Sequence, residues 1–183
     1  MIIRKVTENE KEKCYQFSKD IIEGGNQFNR FNQSLKTQIN RTYIGKLAEY
    51  VFLNFLKENS VTYDEGGMFE IFSGQANVDN YDFVTKNFET VDIKTASLPF
   101  HSRIMIPMDQ FHNKKDYYVG VKLHFKNVYE KVISPMNIEK CTLYGYIDRK
   151  KLEDRPVENF GGGGGKAYKL NKMLPIGDLL GKF

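Results

Sequence analysis

The chain has no tryptophan, three histidines and two cysteines, and each scarcity narrows what it does. Cys14 and Cys141 lie far apart and form no CxxC or mixed Cys/His array. That spacing argues against structural zinc and against a disulfide framework, and leaves reduced thiols as the simplest reading. His101, His112 and His124 show no HxH or HxxxH spacing, so a histidine-built metal site is not expected. No apolar run approaches the roughly 18 residues that a spanning helix needs. Met1-Ile2-Ile3-Arg4-Lys5 leads into polar residues rather than into a signal-peptide core. The expectation is a cytoplasmic protein without a membrane partner, and no internal repeat is visible.

What remains is ordinary in bulk and informative in pattern. A length of 183 residues suits one domain, 1–183, with enough chain to bury a core. The net charge of +4 suits a polyanionic partner without requiring one. Residues 8 to 23 read as a helix with an apolar stripe of Cys14, Phe17, Ile21 and Ile22, stopped by Gly24-Gly25. Residues 26 to 40, rich in Asn and Gln, read as a loop or short helix. From Thr42 to Glu58, Ile44, Leu47, Ala48, Val51, Phe52, Phe55 and Leu56 recur at three and four spacing, the strongest helical pattern in the chain.

Strand patterns follow at Met68 to Phe72, Tyr81 to Lys86, Glu89 to Thr95, Tyr117 to Phe125 and Thr142 to Asp148. A short helix or turn is expected over Pro107 to Lys115, helical or irregular chain over 126 to 141, and a short helix from Arg149 to Asp154. Ala167 to Leu170 reads as a strand and Ile176 to Leu180 as a short apolar stretch. The order predicts an α/β domain with a central mixed β-sheet flanked by helices. Gly161 to Gly165 followed by Lys166 is no Walker loop, because Phe160 and Ala167 stand where that motif does not allow them; a surface loop is the expectation.

The chemistry concentrates between Tyr81 and Thr95. In a strand, Asp92 and Lys94 share a face while Ile93 takes the other. A turn at Lys86-Asn87 would fold Asp82 back beside Asp92. Two carboxylates with an ammonium beside them suit a hard divalent cation and an activated water. Asp82, nine intervening residues, then Asp92-Ile93-Lys94, preceded by a helix carrying Glu49, resembles the PD-(D/E)xK nuclease superfamily with its restriction-endonuclease-like core. Tyr81 stands where that family often has proline, and Asp79 is a rival for the first carboxylate.

The resemblance covers the middle half of the chain and implies a Mg²⁺-dependent endonuclease acting on DNA, with Mn²⁺ as a substitute metal. Asp82, Asp92, Glu49 and the Ile93 carbonyl would hold the metal, and Lys94 would orient or help deprotonate the attacking water. Thr95 and Ser97 continue the strand of Asp92 and Lys94 as phosphate contacts. Outside the resemblance, Arg103 after the motif strand and Lys114 and Lys115 on a basic surface with Lys122 suit phosphates, and Arg30 among Asn and Gln side chains suits base edges, which makes residues 1–40 a candidate DNA-contacting arm. A homodimer or a partner subunit is compatible with the resemblance. Each residue also has a plainer reading. Asp92 and Lys94 suit an exposed ion pair, Asp82 a turn, and Glu49 a solvated helix face. The alternative function is a non-catalytic nucleic-acid-binding protein that retains the nuclease fold.

Overall fold

A computed structural model describes residues 1–25, 33–64, 67–71, 81–126, 134–160 and 163–183. Along the chain they form β1 (Ile2–Lys5), α1 (Glu8–Glu23), α2 (Leu35–Glu58), β2 (Phe83–Val84), β3 (Thr90–Ala96), β4 (Arg103–Pro107) and α3 (Met108–Phe111). There follow β5 (Tyr117–Phe125), β6 (Ile138–Asp148), α4 (Arg149–Glu153), β7 (Glu158–Asn159), β8 (Gly164–Lys169) and α5 (Ile176–Leu180).

Local signals set the long helices. Thr7 caps α1 through a capping box with Glu10, whose carboxylate accepts from the Thr7 N–H at 2.7 Å. Gly24 closes the helix and Gly25 takes a φ of +69°. Ser34 caps α2 by accepting from the Thr37 N–H, so this helix starts seven residues before the apolar pattern that announces it. The early turns are polar and carry no periodic signal, and the cap decides the start. The predicted stripe is buried: Leu47, Ala48, Val51, Phe52 and Leu56 are solvent-free.

The chain is a mixed α/β protein. Its central sheet has the order β1-β6-β5-β3-β2, with β3 and β5 parallel and the other pairs antiparallel. A second sheet runs β4-β8-β7. Alternation along the strands assigns the two faces of the central sheet. Val91, Ile93, Val119 and Val121 join the α2 stripe in one core, where the Phe52 and Phe83 rings meet edge to face at 4.9 Å. Ala96, Tyr118 and Ile147 point the other way and pack with Ile104, Ile106, Phe111, Leu152 and Leu170 in a second core. Covered on both faces, β5 is buried almost throughout, which explains its near-continuous apolar run.

Several expectations change. Met68 to Ile71 is turn and irregular chain rather than strand, and Phe72 lies outside the described residues. The strand expected over Tyr81 to Lys86 shrinks to β2, because pairing stops where Thr85 turns the chain. β6 begins at Ile138, inside the stretch read as helical or irregular. β1 and β4 carry no expectation of their own. β1 is four residues long, and Arg4 fills an inward position by laying its stem inside and donating to Val51 O and Glu58. The glycine run is not a loop throughout: Gly164 and Gly165 open β8, and a Cβ on Gly165 would lie 2.8 Å from the Ile106 carbonyl oxygen. Gly161 and Gly162 lie outside the described residues. Among the described residues no helix is long and apolar enough to cross a membrane.

Candidate active site

The β2–β3 hairpin assembles the site. Its register pairs Phe83 with Val91 and Val84 with Thr90, which brings Asp82, one residue before β2, alongside Asp92. The Asp82 N–H donates to Val91 O at 3.1 Å, and the Ile93 N–H donates to Asp82 Oδ2 at 2.6 Å. Ile93, expected to lend its carbonyl to a metal, therefore lends its N–H to the neighbouring carboxylate. The turn sits where it was expected: the Thr85 N–H donates to Glu89 O and the Phe88 N–H to Thr85 O, both at 2.9 Å.

Asp92 and Lys94 share the face opposite α2, as the alternation requires. Lys94 Nζ lies 2.5 Å from Asp92 Oδ2, with both side chains largely shielded from solvent. This is a shielded pair, which removes the plain reading of an exposed one. The contact is ionic and off the line of a hydrogen bond, because the same buried Oδ2 has no partner of hydrogen-bond geometry. Glu49 approaches from α2 and is held by Lys46 Nζ at 2.6 Å. It is not a freely solvated helix residue, and Lys46 is a neighbour the sequence reading missed, although a Lys three residues before a Glu on a helix is a recognisable pair.

Electrostatics ties the acids together. Burial raises the Asp82 carboxyl well above its ordinary range, and the Glu49 and Asp92 charges push it further. Lys94 and the Ile93 N–H pull the other way without cancelling the rise. Like charges gathered on partly buried carboxyls are what a cation would relieve. Even so, among the described residues no three His, Cys, Asp or Glu side chains converge closely enough to hold a metal ion as they stand.

The proposed nucleic-acid contacts scatter. Thr95 and Ser97 are half-buried at the end of β3, and Arg103 is exposed on β4 with its guanidinium 2.6 Å from Glu158. Lys114 is exposed with a φ of +49°, while Lys115 is buried and offers little charge to a ligand. Lys122 is also buried. Arg30 and the other Asn- and Gln-rich residues of 26–32, and Asp79, lie outside the described residues. The chain finds no match among protein-family models, curated proteins or solved structures.

Proposed function

We propose that the protein is a Mg²⁺-dependent deoxyribonuclease with a restriction-endonuclease-like core. The observation that supports this best is that Asp82, just before β2, lies under the charges of Glu49 on α2 and Asp92 on β3, with Lys94 beside them. The buried Asp92 Oδ2, held by the Lys94 charge but by no hydrogen bond, supports it as well. Asp82, Asp92 and Glu49 would hold the ion. When bound, magnesium would supply Lewis-acid polarisation of a phosphodiester and a more acidic water.

The chain's own residues have separable tasks. The Ile93 N–H fixes the orientation of Asp82. Lys46 holds Glu49 and sets how far its carboxylate reaches. Lys94 leaves Asp92 to place a positive charge against the phosphoryl oxygens as negative charge builds there. DNA is the substrate of this reading, and a homodimer would serve if both strands are cut.

A second reading has an observation of its own. Among the described residues no three ligands converge, and the Lys94 ammonium already closes on Asp92. A non-catalytic nucleic-acid-binding protein fits that arrangement without any metal.

Incubation of supercoiled plasmid and branched DNA with Mg²⁺, Mn²⁺ or EDTA separates the two. The nuclease reading expects metal-dependent cleavage that Lys94→Ala reduces about 100-fold or more, the scale of losing one transition-state charge partner. It also expects Mg²⁺ to raise the melting temperature of the wild type but not of Asp92→Asn. Cleavage of neither substrate in either metal, with binding that EDTA leaves intact, transfers the assignment to the second reading.

A further inference from the structure

An open cleft of about 770 Å³ lies beyond the end of β3, lined in part by Phe100, His101, His124, Lys140 and Lys169. It lies on the same face of the central sheet as Asp92 and Lys94. The register pairs Lys94 with Gly120 and Ala96 with Lys122, so Lys122 and His124 continue along β5 the side shared by Asp92 and Lys94. At about 3.3 Å per residue, the cleft begins within roughly 10 Å of Lys94.

Its floor is built around one buried cation. Lys122 is 7% exposed, and its ammonium donates to the carbonyls of Leu98, Pro99 and His101 at 2.5, 3.0 and 2.6 Å. These three bonds fasten the loop between β3 and β4. A second tie comes from the Leu170 N–H, which donates to Ser102 O at 3.0 Å. On this fastened loop stands Phe100, 77% exposed, touching the His101 ring edge to face at 5.0 Å. An apolar ring that buries so little adds little to the fold, and a fixed loop presents it at low entropic cost. Lys140 and Lys169 are exposed on the cleft walls, against a single acid among the described residues, Glu139.

We infer that this cleft binds an unpaired polynucleotide strand, with a base stacked on Phe100 and phosphates beside Lys140 and Lys169. A duplex hides its base faces in its own stack, so an isolated aromatic platform selects unpaired bases. The inference rests on the nuclease reading only for what lies next door, and the cleft's chemistry is independent of metal and cleavage.

The test is fluorescence anisotropy in EDTA with labelled 12-mers of oligo(dT), oligo(U) and a duplex. Wild type should bind oligo(dT) more tightly than the duplex. Phe100→Ala should weaken oligo(dT) binding about tenfold and change duplex binding little. Lys140→Ala with Lys169→Ala should flatten the dependence of log affinity on log salt by about 1.4, two single-strand phosphate contacts at about 0.7 each. Tighter binding of oligo(U) than oligo(dT) supports the site with RNA as the source of the strand.

Circular dichroism confirms folding; Phe100 is exposed, so its loss leaves the core intact. Oligo(dT) binding by Phe100→Ala within twofold of wild type overturns the inference, as does tighter binding of duplex than of oligo(dT). A wild type that binds oligo(dT) but cleaves nothing overturns the nuclease reading and leaves the cleft standing. Metal-dependent cleavage with Phe100 dispensable for binding does the reverse.

Discussion

Asp82 is the residue where folding and chemistry pull in different directions. Burial and the charges of Glu49 and Asp92 raise its carboxyl above the unfolded value, so ionising it costs stability. The sign follows from proton counting. Between the unfolded and folded pKa values the native state holds more protons, so stability falls as pH rises through that window. Below the ordinary carboxylate value both states are protonated and the penalty vanishes. Asp82→Asn keeps an acceptor for the Ile93 N–H and removes the charge. It should therefore melt higher than wild type at pH 8, by about 2–4 °C for each kcal/mol recovered. The gap should narrow on acidification towards pH 4. Thermal unfolding across that range checks it, and a gap absent at pH 8 or unchanged with pH would show that Asp82 carries no such penalty.

At the scale of the element, the hairpin stores strain at its tip. Phe88 has a φ of +62° and is 87% exposed, so its ring secures nothing while its Cβ crowds the backbone. Asn tolerates the left-handed conformation, and Phe88→Asn should stabilise the protein by about 0.5–1 kcal/mol. Chemical denaturation gives the number; a loss of stability would mean that the ring has a packing role. This hairpin also marks how far the sequence could be read. The alternation of Asp92, Ile93 and Lys94 and the turn at Lys86-Asn87 put the acids side by side from local rules alone. The long apolar periods of α2 and β5 were equally readable. β1 was not, because an arginine stem fills one of its inward positions. Nor was the second sheet, whose strands β4 and β8 find each other across some sixty residues. Lys122 is the same case: a lysine in a buried strand implies a buried partner, but which carbonyls answer it depends on how the next loop folds over.

For the whole molecule, the last fourteen residues act as a strap that returns to the site. A glycine pair in register, Gly120 with Gly145, leaves a bare strip across β5 and β6, and the chain after β8 crosses it. Tyr146 and Leu174 exchange backbone hydrogen bonds at 3.0 and 2.9 Å. Beyond them, Ile176 and Leu179 enter the core with α2, and Phe183 reaches the Phe52 and Tyr63 rings. The Lys86 N–H donates to Lys182 O at 3.1 Å, and Lys182 pairs with Glu89, so the strap ends on the hairpin that carries Asp82.

The two glycines should not be equivalent. A Cβ on Gly120 would meet Met173 Sδ at 2.4 Å, a flexible side chain that can swing aside. A Cβ on Gly145 would meet the Leu174 carbonyl oxygen at 2.1 Å, which is backbone and part of the strap's own hydrogen bond to Tyr146. Gly120→Ala should cost about 1 kcal/mol and Gly145→Ala about 3 kcal/mol or more, the upper range for overpacking. If the strap steadies the hairpin, Gly145→Ala should also speed amide exchange at Asp82 and Thr85, whose N–H groups pair within the hairpin, more than Gly120→Ala does. Equal costs, or exchange that stays slow when the strap is displaced, would show that the hairpin holds Asp82 beside Asp92 without help from the C-terminal chain.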